Sequence, residues 1–207
     1  MNATPKNPLH MQSSLRLAGI VLCIAALSGC SAFVAQNPSS ALKPVNAAVE
    51  GGDERVMLKG HDVVAYFDQG THLAGSPEFK SVYEGVTFRF ASADHKTRFD
   101  AAPAKYLPQY GGYCANGIVY GIPWGGDADS WLLRDGKLYI FGGAGSKAAF
   151  LLDVPGNTKL ADKYWDDEVK GSNSFVQRAK RMVLRVPHYK SGEELDRMVK
   201  EAAAKKT

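Results

Sequence analysis

The chain has 207 residues, 45% hydrophobic and 22% charged, which fits one globular core with extensions and excludes two full domains. Its net charge of +4 shrinks on processing, because residues 1–29 hold Lys6 and Arg16 and no acid, leaving 23 basic against 21 acidic residues. That balance excludes nucleic acid as a partner, since such proteins need a strong positive footprint.

The first element is the apolar run Leu17–Leu27, preceded by Arg16. Its length suits a signal-peptide core and is too short to span a bilayer. It ends in Leu27-Ser28-Gly29-Cys30, which matches a bacterial lipobox; an ordinary secretory signal with a chance cysteine is the alternative. The lipobox predicts cleavage before Cys30, acylation of that residue and a membrane partner through the lipid anchor. Ser31 at the next position favours the outer membrane, with the domain facing the periplasm. Translation from Met11 instead of Met1 gives a more usual signal. The expected organisation is therefore a lipoprotein signal at 1–29, a flexible tether at 30–55, a core domain at 56–155 and a helical extension at 156–207. Ser31–Ala48 carries two prolines and no sustained periodicity, as a tether should.

Val63–Phe67 is a short apolar, β-branched and aromatic run and predicts a strand. Phe79–Tyr83 and Val86–Phe90 flank Glu84-Gly85 and predict a hairpin, its second arm half-buried because Val86, Phe88 and Phe90 alternate with Thr87 and Arg89. Ser92–Phe99 predicts a short helix capped by Ser92, with Pro103 beyond it. Ile118–Ile122 predicts a strand, and Trp131–Phe141 a hairpin turning at Asp135-Gly136. Helices are expected at Ser146–Leu152 and Leu160–Val169. In Ser174–Val186 the residues Phe175, Val176, Ala179, Met182 and Val183 recur at helical spacing, with Arg178, Lys180, Arg181 and Arg185 read as a solvated face or as one lying near anionic lipid. Ser191-Gly-Glu-Glu194 carries a capping box that opens a last helix through Ala204. The fold class expected is α+β.

The stretch Tyr106–Ala115 draws the chemistry together. It holds three tyrosines, the pair Gly111-Gly112, and Cys114, which has no cysteine partner once Cys23 is cleaved away and Cys30 is acylated. Cys114 is read either as a small buried filler or as a reactive or metal-binding thiol. The glycine pair allows close backbone approach, which favours a functional centre. Tyr66, Phe67, Tyr110, Tyr113, Trp124 and Trp131 are read as core packing or as the lining of a pocket.

Asp62–Phe67, Phe90-Ala-Ser92, Phe99, Pro103, Tyr106 and Gly112-Tyr-Cys-Ala115 together resemble the YHS domain, over about Gly60 to Phe141. The branch is similar to secreted bacterial YHS-domain proteins with a GYCA box, some of them selenoproteins. The resemblance implies a small treble-clef-like core of β-hairpins and a short helix, often found beside heavy-metal transporters. In the metal-associated pattern cysteines stand at the positions of Ala65 and Ala91, and a further ligand position falls on His95. Two thiols are thus missing, and a closed tetrahedral site needs four ligands. The expected ligands are Cys114 and His95, with His61 and Asp62 as further candidates, and the expected metal is copper or zinc. The alternatives are a redox protein with Cys114 as catalytic nucleophile, which needs an external resolving thiol, and a non-catalytic assembly or small-molecule binding module. No protein partner is indicated.

Overall fold

Strands Ala47–Glu50 (β1) and Asp53–Met57 (β2) pair antiparallel across Gly51-Gly52, whose positive φ angles suit a tight reversal. Ser76–Tyr83 (β3) and Val86–Phe90 (β4) form the expected hairpin, and β4 also pairs parallel with β2 through Val56 and Thr87. The sheet order is β1-β2-β4-β3. This chain is described here by a computed structural model at residue 42 and residues 44–205; the apolar run, Cys30 and all of Ser31–Ala41 lie outside the described residues.

Three expectations change. Strand β4 is buried on both faces because it is central in the sheet: Thr87 donates to the Glu54 carbonyl at 3.1 Å, and Arg89 pairs with Asp53 at 2.9 Å. Val63–Asp68 is a helix (α1), not a strand. The Asp62 carboxylate caps it, and a short run buried on every side has no periodicity to tell strand from helix. Ile118–Ile122 is not a strand either. The chain turns back so tightly there that a Cβ on Gly117 would lie 2.6 Å from the Ile122 carbonyl oxygen.

Ala93–Ala101 (α2) is capped by Ser92 as expected and docks on the sheet through Phe99, against the rings of Phe88 and Phe90. Pro103–Tyr106 (α3) follows at once, with Pro103 at its start. A 3₁₀ turn at Gln109–Gly112 leads through Cys114 into the single turn Ala115–Ile118 (α4).

Asp127–Arg134 (β5) and Lys137–Phe141 (β6) form the second hairpin. Strand β6 joins the two halves of the core. Leu138 and Ile140 pack with the sheet, α1 and Phe99, while Tyr139 and Phe141 pack with Tyr110, Cys114, Ile118 and Phe150. The period of two read in the sequence is therefore the period of two buried faces.

Ala144–Leu151 (α5), Val154–Tyr164 (α6), a π-helical turn at Trp165–Val169, Ser174–Val183 (α7) and Gly192–Ala204 (α8) complete the described fold. The capping box at Ser191 and Glu194 is formed. The fold class is α+β, and all described residues fall in one compact unit. Among them no helix is long and apolar enough to cross a membrane.

Helix α7 packs the opposite way round from its sequence pattern. Gln177, 3% exposed, and Arg181 face the protein, while Val176, Met182, Val183 and Leu184 are exposed. The carboxylate of Glu168 causes this, accepting from Gln177 and pairing with Lys180 and Arg181. The expected solvated basic face is partly an inward-facing one.

Candidate functional site

Asp62 is fully buried, and four donors converge on its carboxylate. Oδ1 accepts from the amides of Val64 at 2.8 Å and Ala65 at 3.4 Å. Oδ2 accepts from the Ala91 amide at 2.8 Å and from His95 Nδ1 at 2.6 Å. With Nδ1 donating, the network assigns Nε2 of His95 as acceptor, and the Gln69 amide faces it at 3.2 Å. The positions that the resemblance marks as ligands, Ala65, Ala91 and His95, are thus gathered in space around one acid. Alanine backbones now supply N–H donors where thiolates would supply lone pairs. A carboxylate that already accepts four hydrogen bonds ties α1, β4 and α2 together and has little left for a metal.

Cys114 is elsewhere in the core. Its amide donates to the Trp124 carbonyl at 2.9 Å, its backbone bridges to Ile140, and the residue is only 3% exposed among Tyr113, Phe141 and Phe150. A Cβ on Gly142 would lie 3.7 Å from the sulfur, an ordinary contact distance, so Gly142 neighbours the thiol. The close approach that Gly111 and Gly112 permit is to the chain itself. At Gly111, with φ +60°, a Cβ would lie 2.4 Å from the Pro44 carbonyl oxygen. Asn46 fastens this contact: its amide donates to the Gly111 carbonyl at 2.8 Å, and its side chain to those of Gly112 at 3.0 Å and Gly126 at 3.1 Å.

The expected set of Cys114, His95, Asp62 and His61 does not assemble. Asp62 and His95 meet, Cys114 is buried apart, and among the described residues no group of three or more His, Cys, Asp or Glu is arranged to hold a metal ion. The set as expected does not fit copper or zinc.

His61 instead faces His72, with ring centroids 6.2 Å apart and planes at 44°. A tetrahedral ion with metal–nitrogen bonds near 2 Å places the centroids of two imidazole ligands about 5 Å apart, so this pair would close by about 1 Å on binding. Nδ1 of His61 lies 3.0 Å from the Leu58 carbonyl, which fixes it as the donor and leaves Nε2 with a lone pair. The loop is held by the bridge between His61 and Ala74, and by Leu58 and Lys59 at positive φ, a costly conformation for residues with side chains. Both histidines line a cleft of about 320 Å³ together with Lys59, Asp127 and Asp129. His72, Asp127 and Asp129 gave no signal in the sequence, because strand pairing and the start of β5 bring them to His61.

Of the aromatics, Tyr66, Tyr110 and Tyr113 are core residues. Burial pushes the phenol of Tyr66 far up, and its hydroxyl donates to the Ala128 carbonyl at 2.7 Å. Burial first, and then the hydrogen bond to Asp162, do the same at Tyr110. Tyr110 also edges an apolar groove of about 300 Å³ with Met57, Leu107 and Trp165.

A family model described as the YHS domain matches residues 64–110, so the chain contains a YHS domain. The match takes in Ala65, Ala91 and His95 and leaves Asp62 and Cys114 outside. No curated protein and no solved structure matches the chain.

Proposed function

We propose that this protein is a lipid-anchored, periplasm-facing YHS-domain protein that binds a transition-metal ion, copper or zinc, at the His61–His72 cleft. The observation that carries the reading is the imidazole pair, 6.2 Å apart, beside two carboxylates. Imidazole suits both metals, and two protein nitrogens with water completing the shell make an exchangeable site, as a carrier needs. The Asp62–His95 pair holds the scaffold, and the burial of Cys114 supports a packing role over a redox one. The anchor is supported by the Leu27–Cys30 box at the end of the apolar run; the mature chain is then expected to begin at an acylated Cys30, which intact-mass measurement of membrane-extracted protein checks.

Titration of untagged protein with Cu²⁺ and Zn²⁺ tests the metal reading. Binding is expected in the parent and in Cys114→Ser, to fall at least about tenfold in His61→Ala and in His72→Ala, and to weaken as acid protonates the imidazoles. Retention in both histidine variants with loss in Cys114→Ser returns the site to the thiol. No binding in the parent ends the metal reading.

A further inference from the structure

We infer that α7 is a membrane-docking element that lies on a surface of anionic phospholipid headgroups. Val176, Ala179, Met182 and Val183 occupy one face of the helix, and Leu184 extends it past the last turn. All are exposed, Val183 at 81%. The helix is well anchored behind this stripe, since Gln177 donates to the Gly121 carbonyl and Arg178 to that of Pro123. The apolar face is therefore presented by a fixed helix, and its exposure does not come from loose packing. Apolar stripes of this kind on a basic helix are the pattern of interfacial helices.

Charge selects the occupant. Residues 174–185 hold Arg178, Lys180, Arg181 and Arg185 and no acid. One carboxylate, Glu168, serves Lys180 and Arg181. Arg178 lies over the Trp124 ring and Arg185 over that of Tyr189. Trp124 is itself part-exposed, and a tryptophan under an arginine is suited to the headgroup layer. A two-fold pairing of α7 with a second copy would set these cations against their own images. An anionic lipid surface meets the exposed ones, Lys180 and Arg185, with opposite sign, each contributing about fivefold to binding. If Cys30 is acylated as proposed above, the eleven residues 31–41 ahead of the packed Leu42 reach at most about 40 Å, so the anchor keeps the domain near a membrane surface. The docking itself needs no lipid on Cys30.

Tryptophan quenching tests this in the full chain. Val183→Trp is compared with Val82→Trp, an exposed position on β3 at 71%, using vesicles of phosphatidylethanolamine and phosphatidylglycerol with brominated acyl chains. Emission added by the tryptophan at 183 is expected to shift to the blue and be quenched, that at 82 to do neither, and the difference to shrink several-fold on purely zwitterionic vesicles. Leu184→Trp serves as a second reporter should Val183→Trp not fold. The inference is overturned if the stripe reporter is quenched no more than the one at 82. It is equally overturned if the blue shift appears without vesicles and grows with protein concentration, which assigns the stripe to a second copy. The anchor is read by mass and the helix by quenching, so failure of one is separate from failure of the other.

Discussion

At the residue scale the heaviest demand falls on Asp62. It caps α1 and holds the Ala91 amide and the His95 imidazole while fully buried. Asp62→Ala removes the cap and strands two buried donors, so we expect a loss of about 3 kcal/mol, seen as a lower urea midpoint. A loss within 1 kcal/mol, about the worth of the cap alone, would mean that the network carries little. Cys114 makes a contrasting prediction. With 3% exposure among Tyr113, Phe141 and Phe150, it should alkylate far more slowly in the native protein than after unfolding. Native labelling as fast as a free thiol would revive the redox reading.

At the element scale, Glu168 sets the orientation of α7. Burial alone would raise its pKa, but hydrogen bonds from Gln177, Lys180 and Arg181 outweigh that and hold it below the ordinary carboxylate value. A carboxylate depressed in the folded state stabilises it above the unfolded pKa, and the contribution is lost as pH falls through the folded value. Glu168→Gln should therefore cost about 1 kcal/mol at neutral pH, with the gap closing below about pH 4 in acid-unfolding curves. Which elements the sequence revealed follows the same physics. Both hairpins, α2 and the last helix were legible because their turns and caps, Glu84-Gly85, Asp135-Gly136, Ser92 and Ser191, act locally. Helix α1 was not, because a short run buried on every side shows no periodicity, although its cap, Asp62, is local. The orientation of α7 was not, because apolar spacing finds a stripe without saying which side Glu168 will take.

At the scale of the whole molecule, the folded part begins ahead of residue 55. Val45 is buried, and Asn46 joins β1 to the turn at Gly111-Gly112 and to Gly126. Asn46→Ala should lower the melting temperature through two lost side-chain hydrogen bonds, at about 1 kcal/mol each. That segment was hidden in the sequence by its small, polar composition. The candidate site was half legible: His61 was marked, while His72, Asp127 and Asp129 are brought to it only by the fold. The resemblance pointed to the neighbourhood of His95, where a saturated carboxylate stands. The central claim is that the metal is held by nitrogen at the His61–His72 cleft. X-ray absorption at the metal edge of the copper- or zinc-loaded protein tests it most directly. We predict imidazole nitrogen and oxygen scatterers at about 2.0 Å; a sulfur shell at about 2.3 Å would put the metal on Cys114 and contradict the account.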